Sequence, residues 1–214
     1  MQLPDRNSIP VHVIDDDPAV RDSLRWLLES EGLTVLLYPD ADTFLESLTP
    51  ETTGCVLLDV RLPGMSGVDL MEKLAESEAT LKVIMISGHA DVTDAVRSMK
   101  AGAIDFVEKP FPREVLLSRV HQTLEACERQ QSEHIQIRSI CERLDSLTPR
   151  ESTVMKMVVR GMLNKQIATE LGLSQKTVEV HRAHVMQKMH ATSLAELVRM
   201  SVAIEELQLA ETVA

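Results

Sequence analysis

Cys55-Val56-Leu57-Leu58-Asp59-Val60-Arg61-Leu62-Pro63-Gly64 is an apolar run that stops on a carboxylate and then meets Pro and Gly. A short apolar run closed by breakers reads as a buried strand. The acid at its C-terminal lip stands where open α/β sheets hold their ligands. The same arrangement recurs on either side. Val11-His12-Val13-Ile14 leads into Asp15, Asp16 and Asp17, Val83-Ile84-Met85-Ile86 ends in Ser87, and Ile104-Asp105-Phe106-Val107 leads to Lys109-Pro110. Strands are predicted at 11–14, 33–37, 54–58, 83–86 and 104–107. Helical stripes lie between them: Val20, Leu24, Leu27 and Leu28, then Val68, Met71, Leu74 and Ala75, then Val92, Ala95, Val96 and Met99. Strands alternating with helices imply an α/β unit, a doubly wound five-stranded parallel sheet covered on both faces.

The strand ends carry the chemistry. Asp17 is best placed to cap the helix that begins near Pro18, which leaves Asp15 and Asp16 without a structural task. Two carboxylates at one lip repel each other unless a cation or a lysine stands beside them. Lys109, after the last strand, supplies such a charge. Clustered carboxylates also suit a hard divalent cation such as Mg²⁺, which takes oxygen ligands and keeps positions open for phosphate. The plain alternative is an acidic lip facing solvent.

From Pro112 the chain has no Gly or Pro until Pro149. Leu116, Leu117, Val120 and Leu124 continue one stripe, and Ile137, Ile140, Leu144 and Leu147 make another. This reads as a long helix leaving the first domain as a linker. Its spacing suits a short coiled-coil seam or a helix folded back on its own domain, and the sequence leaves both open. Thr148-Pro149-Arg150-Glu151 is a capping box that starts a helix ended by Gly161. Asn164 is expected to cap the next helix, with Ile167, Ala168 and Leu171 inward. Gly172-Leu173 turns the chain, and Ser174 caps a helix with Val178, Val185 and Met189 inward. A last helix, 193–205, carries Leu194, Leu197, Val198 and Val202. Two helices joined by a tight Gly-containing turn are a helix-turn-helix signature. Helix 175–189 offers Lys176, Thr177, His181, Arg182, His184 and Lys188, donors for phosphates and for base edges in a major groove. An ordinary solvated helical bundle is the alternative.

The 214 residues suffice for one large or two small domains. Residues 1–125 hold 11 Lys/Arg against 22 Asp/Glu, residues 126–147 hold 3 against 4, and residues 148–214 hold 8 against 7. An acidic front joined to a basic back fits a metal site joined to a nucleic-acid reader. The formal charge of −11 argues against indiscriminate nucleic-acid binding. Cys55, Cys127 and Cys141 have no metal spacing and read as thiols in a reducing compartment. No signal peptide is visible and no apolar run reaches membrane-spanning length. Few aromatics weigh against a single-strand stacking surface.

Ile14-Asp15-Asp16, Leu58-Asp59-Val60, Met85-Ile86-Ser87-Gly88 and Glu108-Lys109-Pro110-Phe111 resemble the receiver domain of two-component response regulators. Leu147-Thr148-Pro149-Arg150-Glu151, Asn164-Lys165-Gln166-Ile167-Ala168 and Thr177-Val178-Glu179-Val180-His181-Arg182 resemble the helix-turn-helix output domain shared by the FixJ, NarL and LuxR proteins. Gly88-His89 and Asn164-Lys165-Gln166 point to the FixJ subgroup. The resemblance implies a receiver over 8–125, a helical linker over 126–147 and an all-α four-helix domain over 148–208.

It also implies roles. Asp59 would accept the phosphoryl group from a sensor histidine kinase. Asp15, Asp16, Asp59 and the backbone carbonyl of Arg61 would hold Mg²⁺. Lys109 would neutralise phosphoryl oxygens, Ser87 would bond the new phosphate, and Phe106 would swing inward to reshape the face of the fourth helix and fifth strand. Arg61 and His89 would set how long the phosphate lasts. Lys165, Lys176 and Lys188 would grip DNA phosphates; Thr177, His181 and Arg182 lie beside them. Glu179, Val180 and Ala183 fall where family members reach base edges. The last helix resembles a dimerisation helix, so a homodimer on an inverted repeat of double-stranded promoter DNA, in the cytoplasm, is expected.

Aspartyl-phosphate hydrolases are the rival from another class. They typically carry a second acid two residues after the nucleophile, and this chain has Arg61 there, which argues against an enzyme acting on small esters. A vestigial receiver is disfavoured by the complete set of Asp15, Asp16, Asp59, Ser87 and Lys109. A phosphoryl sink without output is disfavoured by the helix-turn-helix.

Overall fold

The computed structural model describes residues 9–77, 79–88 and 92–213. They fall into two compact units, Met1–Gln131 and Ser132–Ala214.

In the first unit the elements alternate: β1 (Val11–Ile14), α1 (Pro18–Glu29), β2 (Val35–Tyr38), α2 (Ala41–Glu46), β3 (Thr53–Asp59), α3 (Gly67–Ala75), β4 (Thr80–Ser87), α4 (Val92–Lys100), β5 (Asp105–Glu108) and the start of α5 (Arg113–Asp145). All sheet pairs are parallel, in the order β2-β1-β3-β4-β5. The chain steps from β1 to β2 on one side, then crosses to β3 on the other. The order therefore reverses at β1 and β3, and the crevice beyond their C-terminal ends is where such sheets place ligands. Alternate residues of each strand feed two cores. Val11, Val13, Cys55, Leu57, Ile84 and Ile86 join one, with Leu116, Val120 and Leu124 of α5. Ile14, Val56, Leu58, Val83 and Met85 join the other, with Phe44 and Leu70. Burial on both faces explains why the strands read as continuous apolar runs.

Several expectations shift. β2 runs over Val35–Tyr38 rather than 33–37. Leu33 is buried but sits in the turn that closes α1, its N–H donating to the Leu28 carbonyl at 3.2 Å. The helix α2 was not expected; Asp40 caps it by accepting from Thr43 N–H at 2.7 Å. Of the stripe Val92, Ala95, Val96 and Met99, the Val92 side chain lies outside the described residues, Ala95 is half-buried, and Val96 and Met99 face solvent. Val96 is 47% and Met99 49% exposed, and Ser98 is buried instead, its hydroxyl satisfied by the Asp94 carbonyl at 2.8 Å. Ala75 is also exposed, at the end of α3.

In the second unit the end of α5 is followed by α6 (Pro149–Val159), α7 (Asn164–Leu171), α8 (Gln175–Lys188) and α9 (Leu194–Val213). Val154, Met155, Val158, Ile167, Val178 and Val185 are prominent in its core. The capping box at Thr148 forms, with Glu151 N–H donating to Thr148 Oγ1 and Thr148 N–H to Glu151 Oε2 at 2.9 Å. Gly172, at φ +65, is the left-handed cap that turns α7 into α8. Asn164 is not the cap of α7. Leu163 holds that position, its N–H donating to Gln166 Oε1 at 2.8 Å, and Asn164 is the first helical residue. Of the stretch 126–147, expected as a linker, residues 126–145 continue α5 without a break and Ser146-Leu147 turn the chain into α6. Cys127 is buried in the first core, and Ile140, Leu144 and Leu147 belong to the second.

Candidate phosphoacceptor pocket and DNA interface

Asp15 follows β1 directly and Asp59 is the last residue of β3, so strand pairing alone makes them neighbours. Both are buried, at 3% and 8% exposure. Lys109 lies just past β5, and its ammonium donates to Asp15 Oδ2 at 2.6 Å and Asp59 Oδ1 at 2.7 Å. The other oxygens are held from the backbone. Arg61 N–H donates to Asp59 Oδ2 at 2.8 Å, and Asp17 N–H to Asp15 Oδ1 at 3.0 Å. Asp17 caps α1 as expected, through Ala19 N–H at 2.8 Å. Asp16 and the Arg61 side chain face solvent.

Burial pushes the Asp59 carboxyl above its ordinary value, against the opposing hydrogen bond and charge of Lys109. Burial works against the Lys109 ammonium too, but hydrogen bonds and charge from Asp15 and Asp59 outweigh it and hold its pKa above the usual lysine value. The pocket thus presents a carboxylate whose charge is poorly solvated beside a cation that stays protonated. That arrangement places a buried carboxylate next to a charge able to neutralise an anion brought up to it.

Ser87 ends β4, buried at 2% exposure, and its carbonyl accepts from Lys109 N–H at 2.7 Å. Phe106 is half-buried and packs on the core that holds Ile14 and Leu58. His89 lies outside the described residues. Arg21, not singled out in the sequence, donates to the Asp15 carbonyl at 2.6 Å.

Gly67 fixes the floor of the pocket. It begins α3, its N–H donates to the Val60 carbonyl at 3.0 Å, and a Cβ there would overlap the Asp59 carbonyl. Gly67→Ala is therefore expected to destabilise the first unit by roughly 1–3 kcal/mol, as overpacking does, read as a lower urea midpoint at unchanged m-value.

On α8, Lys176, Glu179, Val180 and Ala183 form one exposed stripe opposite buried Val178 and Val185. Lys165 is exposed on α7. Thr177 serves the cap, its N–H donating to Ser174 Oγ at 3.1 Å. His181 and Arg182 are half-buried, and Arg182 donates to Asn164 Oδ1 at 2.8 Å, tying α8 to α7. Lys188, expected at a DNA phosphate, also has partners within its own unit. Its ammonium donates to buried Glu151 Oε2 at 2.6 Å and to the Ser146 carbonyl at 3.2 Å.

Hydrogen bonding from Lys188, then from Thr148 N–H, holds the Glu151 carboxyl down at about 2, against an ordinary 4.5. A depressed folded-state pKa contributes stability that is complete above the unfolded value and lost as pH falls toward the folded one. Wild type is accordingly expected to lose melting temperature relative to Glu151→Gln as pH falls from about 4.5 to about 2, and to keep a constant difference from it above that window. Parallel curves through the window would disprove this.

Residues 11–121 match the response regulator receiver domain family, and residues 145–201 match the bacterial regulatory proteins of the luxR family. The chain belongs to the response regulators. It is similar to the transcriptional regulatory protein FixJ of Azorhizobium caulinodans, 46% identical over 91% of this chain and 92% of that one. It is 42% identical to the response regulator protein TodT of Pseudomonas putida, over 93% and 87% of the two chains. Among solved structures, that of the response regulator StyR superposes with a TM-score of 0.80 at 45% identity, covering 90% of this chain and 97% of that one. This response regulator couples a receiver to a LuxR-type DNA-binding domain and is a transcriptional regulator of a two-component system. Among the described residues no helix is long and apolar enough to cross a membrane.

Proposed function

We propose that this response regulator takes a phosphoryl group on Asp59 from a sensor histidine kinase and then binds promoter DNA as a dimer. The observation that carries this reading is the single ammonium of Lys109 bridging Asp15 and Asp59 at the switch point of the sheet. An Asp59 carboxylate oxygen attacks phosphorus as the bond to the donor histidine nitrogen breaks. Lys109 meets the charge on the phosphoryl oxygens, so the pocket contributes positioning and electrostatics. Ser87 then donates its hydroxyl to the new phosphate, and Phe106 turns further into the core.

Asp15 and Asp59 give one lip two buried carboxylates, the kind of oxygen donor Mg²⁺ takes together with phosphate, while among the described residues no group of three such side chains gathers. Asp15, Asp16, Asp59 and the Arg61 carbonyl would hold Mg²⁺, and when bound it would neutralise phosphoryl oxygens alongside Lys109. Exposed Val96, Met99 and Ile104 on and beside α4 and β5 offer an apolar face for pairing receivers. Leu194 and Val202 on α9 offer a second. The chemistry is confined to the protein's own aspartate, so the molecule is a switch and not an enzyme acting on free substrates. Its place is the cytoplasm, where promoter DNA is.

The test is sedimentation of the full chain with acetyl phosphate, with Mg²⁺ or with a chelator. Dimers and tighter binding to a selected duplex are expected only when donor and metal are both present. Identical sedimentation and DNA binding in every condition would replace this reading with a constitutive DNA binder.

A further inference from the structure

The last turns of α5 are part of the output core, and polar contacts tie them to the far end of α8. Arg143 donates from its guanidinium to the carbonyl of Met189, the C-cap of α8, at 3.3 Å, where helix carbonyls lack intrahelical partners. Arg143 also donates to Ser139 Oγ at 3.1 Å. From the other side, Lys188 reaches back to the Ser146 carbonyl and to Glu151. Glu151 is buried, accepts from Thr148 N–H, and has His184 Nδ1 at 3.5 Å from its second oxygen. A buried carboxylate that loses its cation is left uncompensated. The Lys188 ammonium is therefore held within the domain.

We infer that Arg143, Glu151 and Lys188 are positioning residues that lock the C-terminal end of α8 onto the end of α5 and the first turn of α6, so that these two helix ends set how α8 lies in the DNA groove. The inference rests on α8 being the DNA-reading helix. Lys188 adds to affinity through the placement of α8 and not by neutralising a phosphate.

One substitution separates the two accounts by sign. If Lys188 gripped phosphate, Glu151 would compete for it, and Glu151→Gln would tighten DNA binding. In a clamp Glu151→Gln weakens it. The full chain, treated with acetyl phosphate and Mg²⁺, is used to select a duplex from a random-sequence pool. Wild type, Glu151→Gln, Lys188→Gln, Lys188→Arg and Arg143→Gln are then titrated with that duplex and a scrambled one across a salt series. The expected result is a loss of specific affinity of roughly ten- to hundredfold in the Gln variants. The scrambled duplex should lose less, the salt slope should stay unchanged, and Lys188→Arg should recover part of the loss. A salt slope shallower by about 0.9 in Lys188→Gln, or tighter binding by Glu151→Gln, overturns the inference. Circular dichroism checks that each variant is folded. Should Glu151→Gln fail to fold, Arg143→Gln decides: folded and wild-type in specific affinity, it overturns the clamp. Failure of the wild type to select any duplex is a distinct result, which removes the DNA-reading role of α8 and the inference with it.

Discussion

Asp59→Ala will carry no phosphoryl group after exposure to acetyl phosphate and Mg²⁺, and its DNA affinity will not respond to the donor. Asp15, the other buried acid at this lip, cannot substitute. One Asp15 oxygen takes the Lys109 ammonium, the other takes the Asp17 backbone, and the Arg61 N–H that orients the acceptor points to Asp59. Intact-mass spectrometry reads the outcome as presence or absence of one phosphate mass. The same variant should be no less stable than wild type at neutral pH. Burial raises the Asp59 pKa, and a raised carboxyl pKa means that ionisation costs stability, a cost incurred as pH climbs from the unfolded value through the folded one. Removing the carboxyl removes that cost. A variant that still accumulates phosphate would move the acceptor elsewhere, and a sharply lower melting temperature would contradict the electrostatic account.

Lys109→Ala should keep the acceptor and lose most of the rate. Its ammonium is within hydrogen-bond distance of both carboxylates, so it sits where charge on a phosphoryl group has to be met. Loss of one such preorganised donor slows chemistry by about 10²–10³. The variant also leaves Asp15 and Asp59 facing each other without the cation that lowers the Asp59 pKa, so that pKa should climb further. Time courses of phosphate uptake against pH should show both a slower rate and an inflection displaced upward. Lys109→Arg, which keeps the charge with a different reach, should recover part of the rate. An unchanged rate in Lys109→Ala would remove this residue from the mechanism.

The pocket was legible because each of its groups ends an apolar run. Strands buried on both faces announce themselves as uninterrupted Val, Ile and Leu, and their ends point to the switch point whatever the details of packing. What periodicity does not contain is direction. On α4, Val96 and Met99 of the apolar stripe turn to solvent, and the buried side is taken by Ser98, its hydroxyl closed on the Asp94 carbonyl. α2 escaped because a helix of 6 residues is too short to repeat a stripe, Ala41, Phe44 and half-buried Leu45 being its inward signals. The pairing of Glu151 with Lys188 escaped for a different reason. Its partners lie 37 residues apart, and a polar pair leaves no periodic trace. Glu151 was visible only in its local task, as the third residue of a capping box, and Lys188 was accordingly given to DNA.

Gly67 has a mechanical consequence. Because α3 begins hard against the Asp59 carbonyl, the backbone that carries the proposed acceptor is braced on that side. β3 then acts as an anvil. If Asp59 takes the phosphoryl group as proposed, a braced β3 makes the buried end of β4 at Ser87 the neighbouring strand end to watch for movement.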